Sequence, residues 1–429
     1  MLLNDKDMVV AHKIIIRNAS LKGQSVDLHI TGNRISRIVP HLQEVAFCPE
    51  TNDITYIDAQ GMNVFPAFYN MHNHAAMTLL RGYADDLLLM EWLEKHIWPA
   101  EARFTDEHIR VGVSLACLEM IKSGTVFFND MYWKEDVALP VVEAMGLRAG
   151  LGVLVIDALD KREQDRNFDL LRHFVSGSDS RVSLVVSPHS IYTVGHELLC
   201  RSADAARRNG LKIHIHLCET RGEVEACLKK HGCTPVAYLD KMGFLGEDVI
   251  AAHVVHVTDE DIRILADRKV TVAHCPVSNM KLSSGIAPVQ RMLDAGCRVA
   301  LGTDGCSSNN NLDMREEMKI AALLAKVSCG PQALPAGEVL RMSTRVGAET
   351  FGLDAGTIEE GRLADLLLVR NDSACMTPMF NPESNWVYAA DSSMIDTVIC
   401  DGKILMQGRK VEGEEEILAD ARRIASTLL

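Results

Sequence analysis

Met62-Asn63-Val64-Phe65-Pro66-Ala67-Phe68-Tyr69-Asn70-Met71-His72-Asn73-His74 is the stretch whose reading decides the fold. It is an apolar, β-prone run ending in two histidines two residues apart. A strand repeats every two residues, so both imidazoles leave the backbone on the same side. Two nitrogens on one side can share a metal ion. A three-residue motif is a small signal in a chain with 16 histidines, so its weight comes from where the other candidate ligands fall.

Working outward, apolar runs of this kind alternate with amphipathic helices, as in βα units of a parallel sheet. The runs are Val64–His74, Thr125–Trp133, Arg148–Asp157, Arg181–Ser190, Leu211–Glu219, Val249–Val257, Val270–Ser278 and Arg298–Gly305. Between them the spacing predicts helices over Glu107–Lys122, His196–Arg208, Asp259–Ala266 and Pro288–Asp294, several stopped by a glycine. Eight strand–helix repeats predict a closed (β/α)8 TIM-type barrel. An open doubly wound sheet is the alternative, but no Gly-x-Gly-x-x-Gly follows a strand.

Both ends of the chain are β-rich. His12–Ile16, Val26–Ile30 and Arg34–Ile38 read as strands, the last two joined by a Gly32-Asn33 turn. Ala364–Val369, Thr397–Cys400 and Lys403–Leu405 do the same at the other end, with an Asp401-Gly402 turn. The expectation is a composite β-sandwich from residues 1–62 and 359–429 flanking a catalytic barrel of residues 63–358. Glu414–Leu429 closes the chain as a surface helix.

The chain of 429 residues carries a net charge of -14, which repels phosphate backbones and argues for a small-molecule partner over nucleic acid. Met1–Asp7 lacks a secretion-signal pattern and no apolar run is long enough to span a bilayer, so a cytoplasmic protein with no membrane partner is expected. Twelve cysteines without a Cys-x-x-Cys pair fit buried thiols in a reducing compartment. Any metal is then held by nitrogen and oxygen.

Active sites of such barrels lie where the strands end. Polar strand ends here are His72 and His74, His189, His216 followed by Glu219, His253 with His256, and Asp304. Three histidines and one carboxylate from this group suit one divalent ion, zinc or iron, with a position left for water. Such an ion generates hydroxide near neutral pH. Glu219 is placed to act as general acid/base, His253 to hydrogen-bond the hydroxide, and Asp304 both to bind the metal and to take the water's proton. His214, His256 and His274 are read as core histidines. For Trp92 and Trp98, loop packing and substrate stacking both stand open.

The segment His72-Asn73-His74-Ala75-Ala76-Met77-Thr78-Leu79-Leu80-Arg81-Gly82-Tyr83-Ala84-Asp85-Asp86-Leu87, with Ser283–Met292, resembles the amidohydrolase superfamily, and within it the adenosine-type deaminases of S-adenosylhomocysteine and 5'-methylthioadenosine. The resemblance implies one metal at His72, His74, His216 and Asp304, with Glu219 as proton shuttle and His253 beside the hydroxide. It also implies substrate contacts from Glu101, His189 and Glu219. The implied reaction is hydrolytic deamination of the 6-amino group of an adenine nucleoside to the inosine analogue and ammonia, in a homo-oligomer, dimer or tetramer. The alternative is an aminohydrolase or chlorohydrolase of a guanine, pterin or triazine ring. The zinc deaminases of polynucleotide bases are excluded by the missing His-x-Glu with Pro-Cys-x-x-Cys.

Overall fold

The computed structural model describes residues 12–42, 54–173 and 181–428. Met1–Asp7, Cys48 and Leu429 lie outside the described residues. Among the described residues, sixteen strands form two sheets of eight.

The first sheet draws on both chain ends. Its strands are β1 (Lys13–Leu21), β2 (Gln24–Thr31), β3 (Arg34–Pro40), β4 (Ile54–Asp58), β5 (Met62–Pro66), and, late in the chain, β14 (Leu366–Arg370), β15 (Ile395–Cys400) and β16 (Lys403–Met406). The order is β16-β15-β14-β5-β1-β2-β3, with β4 beside β1. The two ends meet where β5 pairs antiparallel with β14, Phe65 opposite Leu367. Ile14, Leu28, Ile35, Ile57, Val64 and Leu368 build a separate core for this sheet. The two turns read from the sequence lie side by side: Asn33 Nδ2 donates to Asp401 Oδ1 at 3.0 Å. Gly402, at φ +71°, leaves no room for a side chain, since a Cβ there would sit 2.1 Å from the Gly32 carbonyl.

The second sheet is the barrel. Its parallel strands are β6 (Phe68–Asn73), β7 (Thr125–Asp130), β8 (Arg148–Val155), β9 (Val182–Pro188), β10 (Lys212–Leu217), β11 (Val249–His253), β12 (Thr271–His274) and β13 (Arg298–Leu301). The seam between β13 and β6 is closed by side chains and one backbone bond. Thr303 donates its N–H to Asn70 Oδ1 at 3.0 Å, Asn70 Nδ2 donates to Thr303 Oγ1 at 2.7 Å, and Asp304 N–H donates to the His72 carbonyl at 2.9 Å. Gly302 permits this approach, because a Cβ would meet His72 at 2.8 Å.

The run Val64–His74 is therefore not one strand. The chain leaves the terminal sheet at Ala67, whose N–H donates to Asp365 O, and enters the barrel at Phe68, whose N–H donates to Gly124 O. Both halves are buried, so no polar residue marks the break. Several other strands stop short of the predicted runs, as at Asp130 and Leu301, because the residues beyond them are buried loop, Met131 and Tyr132 among them. The helices Asp106–Lys122, His196–Asn209, Asp259–Asp267 and Val289–Asp294 match the expected ones within two residues. The last helix, Glu414–Ala425, docks on Asp106–Lys122 through Ala421 and Ile424 against Val111, and through Lys122 to Glu414 at 2.6 Å.

At the end of the barrel where the strands begin, Arg148 is buried and bonds Asp365 at 3.0 Å and Asp401 at 2.5 Å. Tyr69 donates to the same Asp365 at 2.5 Å. Arg148 thus ties barrel to terminal sheet and is remote from the strand ends that carry the site. Among the described residues, no helix is long and apolar enough to cross a membrane.

Candidate metal centre and active site

The strand-end residues converge. His74 Nε2 lies 3.2 Å and His72 Nε2 3.4 Å from the same oxygen, Asp304 Oδ1. His216 Nε2 stands 3.3 Å from His74 Nε2. His72, His74 and Asp304 offer ligand atoms all within 4.8 Å of one another, and so do His72, His216 and His253. His72 Nε2 is buried and finds no hydrogen-bond partner. A buried nitrogen without a partner costs free energy unless an electrophile fills the gap.

The far side of each ring is tied down, and this orients the near side. His74 Nδ1 faces the Met131 carbonyl at 2.6 Å and His216 Nδ1 the His189 carbonyl at 2.8 Å. A carbonyl only accepts, so Nδ1 carries a proton in both rings and Nε2 is left as the atom that can bind a cation. His72 Nδ1 shares a proton with His214 Nε2 at 2.9 Å. His214, read as a core histidine, is fully buried, but its ring also backs His72; the signal was its position two residues before His216, on the same side of the strand.

Burial alone would raise the Asp304 carboxyl, but the His72 and His74 rings that face it hold it well below the usual range. Ser278 and Ser308 donate to its other oxygen at 2.6 and 2.9 Å, and the Gly305 N–H to Oδ1 at 2.8 Å. Burial pushes His72 down to about 4. It would also lower His74, but the Asp304 carboxylate and the Met131 carbonyl outweigh it and lift His74 to about 9. The Asp304 carboxylate thus favours positive charge at the imidazole nitrogens that face it. Three imidazole nitrogens and one carboxylate fit a divalent ion of the zinc or iron kind.

Glu219 sits in the turn after β10, ahead of helix Arg221–His231, and is 4% exposed. Burial raises its carboxyl above the ordinary value, as suits a group that must both hold and release a proton near neutrality. Its Oε2 is 3.9 Å from His253 Nε2, and Ser284 Oγ donates to Oε1 at 3.4 Å. His253 is fixed by Asn279 Oδ1 at 2.9 Å. Cys218, His253 and Asp304 all hold positive φ, 54°, 71° and 64°, a backbone form uncommon outside glycine and found at sites that aim side chains.

A residue absent from the sequence reading holds the Glu219 turn. Glu223 accepts the N–H groups of Cys218 at 3.0 Å and Glu219 at 2.9 Å, one on each carboxylate oxygen. Glutamine has one acceptor oxygen and would turn an NH2 on the other donor. Glu223→Gln is expected to lower kcat about 10-fold with KM and metal content nearly unchanged, since a loosened turn misplaces a reacting group. Steady-state kinetics with metal analysis checks this; an unchanged kcat shows that the turn keeps its shape without the carboxylate.

The cluster opens into a cavity lined by Trp92, Trp98, Glu101, Tyr132, His189 and Glu219 among others. Glu101 is buried, receives the Tyr132 hydroxyl at 2.6 Å, and is pushed by burial up to about 7. Tyr132, just past β7, was not singled out from the sequence. His189 Nδ1 lies 2.9 Å from Thr193 Oγ1, and burial among the other rings lowers it to about 3. Trp92 and Trp98 both border the cavity. His256 Nε2 bonds the Ser284 carbonyl at 2.6 Å, and His274 is buried.

The Amidohydrolase family model matches residues 63–405. The chain belongs to the amidohydrolase family. Amidohydrolases of this family are metal-dependent hydrolases, and the histidine–aspartate cluster lies within the matched residues. Among curated amidohydrolase relatives, the chain is 47% identical to the 5'-deoxyadenosine deaminase of Methanosarcina mazei, over 87% of this chain and 88% of that one. It is 48% identical to the 5-methylthioadenosine/S-adenosylhomocysteine deaminase of Pelotomaculum thermopropionicum, again over 87% and 88%. A solved adenosine deaminase from Xanthomonas campestris with bound zinc superposes with a TM-score of 0.89 at 32% identity, over 97% and 98%. A triazine hydrolase from an Arthrobacter superposes at 0.86 with 23% identity over 96% and 99%, which shows a shared fold.

Proposed function

We propose that this amidohydrolase hydrolytically removes the 6-amino group of an adenine nucleoside, giving the inosine analogue and ammonia. The substrates are 5'-deoxyadenosine, 5'-methylthioadenosine, S-adenosylhomocysteine or adenosine. The observation that carries the reading is the buried Glu219 beside a cluster of three imidazoles and one carboxylate. Relatives so named at 47–48% identity support it.

His72, His74, His216 and Asp304 would hold one divalent ion per subunit, zinc first and iron second. Such an ion lowers the pKa of a water and polarises the electrophile it faces. The protein's own side chains do the rest. Asp304 accepts the proton of the attacking water, and Ser278 and Ser308 steady the oxygen that does not face the histidines. Glu219, whose carboxyl burial raises, gives a proton to the ring nitrogen next to C6. The carboxylate so formed takes the proton of the hydroxyl now on C6 and passes it to the amine, so that the C–N bond breaks, ammonia leaves and the C6 carbonyl forms. His253, fixed by Asn279, hydrogen-bonds the oxygen added at C6. Glu101, held by Tyr132, meets the ribose hydroxyls, and His189 borders the base. Trp92 and Trp98 line the same space and offer the base apolar surface.

On the same reading the enzyme is a cytoplasmic dimer or tetramer; light scattering on the purified chain checks the oligomeric state. Ammonia release tests the activity. With zinc-loaded enzyme, 5'-deoxyadenosine and 5'-methylthioadenosine are expected to be deaminated at least about 10²-fold faster than guanine or an aminotriazine, since a site built to bond one ring rejects another. Turnover of guanine or triazine without any 6-aminopurine turnover overturns the proposal.

A further inference from the structure

The cavity above the cluster continues past Glu101 into a second and larger cleft. Trp98, Trp133, Leu154, Ile156 and Tyr192 border both spaces and make a neck between them. The cleft beyond is open to solvent. Apart from Glu101, which also borders both spaces, the neck is aromatic and aliphatic, and further charged groups line the cleft beyond it.

That charge is mainly acidic. Glu135, Asp157 and Glu163 line the cleft, against Lys134 and Arg166 among the described residues. Both cations point to carboxylates of their own, Lys134 to Asp106 and Arg166 to Asp136 at 2.8 Å. Glu163 lies one turn before Arg166 on helix Lys161–His173 and offsets it further. Glu135 is 8% exposed, accepts the Leu154 N–H at 3.4 Å and is pushed by burial up to about 7, so the acids that count in the cleft are Asp157 and Glu163.

We infer that the neck receives the 5' substituent of the nucleoside and selects a neutral, apolar group there over one carrying a carboxylate. This rests on the function proposed above: with C6 at the histidine–aspartate cluster and the ribose against Glu101, the 5' carbon faces the neck. An alkylthio group or a bare methyl gains by leaving water for Trp98, Trp133, Leu154 and Ile156. A carboxylate loses its hydration in the same place and meets acidic groups at the outer end.

The test compares kcat/KM of the zinc-loaded enzyme for 5'-deoxyadenosine, 5'-methylthioadenosine, S-adenosylhomocysteine and the decarboxylated amine analogue of S-adenosylhomocysteine. The first two are expected to exceed S-adenosylhomocysteine by more than about 10-fold, and the amine analogue to recover most of the difference. Glu163→Lys is expected to narrow the gap by raising S-adenosylhomocysteine turnover relative to 5'-methylthioadenosine. S-Adenosylhomocysteine turned over as well as 5'-methylthioadenosine overturns the inference. So does a loss of its turnover alone in Arg166→Ala, which would make Arg166 a carboxylate partner. Failure of every nucleoside to release ammonia removes the proposed function and this inference together, so the two failures are told apart.

Discussion

Glu219→Gln is expected to lower kcat by about 10³-fold, within the range of roughly 10²–10⁴ that a positioned acid/base supplies, and to leave the bound metal in place. The substitution is close to isosteric. The backbone N–H at this position would still donate to Glu223, and the oxygen of the new side-chain amide can still accept from Ser284, so the turn after β10 keeps its supports. What is lost is a group able to release and retake a proton. None of the four proposed ligands is touched, so metal content stays at that of the parent protein. Kinetics and elemental analysis of one preparation give both numbers. Turnover within about threefold of the parent would remove Glu219 from the proton path, and a metal-free variant would place it among the ligands.

Asp304→Asn is the second large effect. The amide keeps the shape but loses the negative charge that His72 and His74 face at 3.4 and 3.2 Å. It also places an NH2 either beside those nitrogens and the Gly305 N–H or beside the donors Ser278 and Ser308. Metal affinity is expected to fall by more than about 10²-fold, beyond the loss of roughly 10–100-fold typical when a residue that merely supports a ligand is removed. Activity falls with it. Competition against a metal chelator measures the affinity, and His214→Ala, which touches His72 only through Nδ1, supplies the milder comparison. Equal affinity in Asp304→Asn and the parent would show that the carboxylate is not a ligand.

Much of this was legible in the sequence because strand chemistry is local. A histidine at the end of an apolar run announces both the strand and the site, and the Gly32-Asn33 and Asp401-Gly402 turns announce hairpins. The split at Ala67 was hidden because the terminal sheet and the barrel both bury their strands, so Val64 and Phe68 look alike in one dimension although they pack in different cores. His214 carried the same spacing to His216 as His72 carries to His74, and so was readable as a partner on one side of a strand. Tyr132 and Glu223 were not. The first meets Glu101 across 31 residues, and the second serves backbone donors that no side-chain motif reports. Arg148 begins a barrel strand, and its buried bonds to Asp365 and Asp401 span more than 200 positions, so its structural role emerged only once the termini were paired.

Anomalous diffraction at the metal edge, on crystals of the zinc-loaded protein, addresses the central claim directly. One peak per subunit is predicted, bonded at about 2.0–2.2 Å to Nε2 of His72, His74 and His216 and to an Asp304 oxygen. A peak elsewhere, or an ion that leaves His216 or Asp304 unbound, would contradict the account.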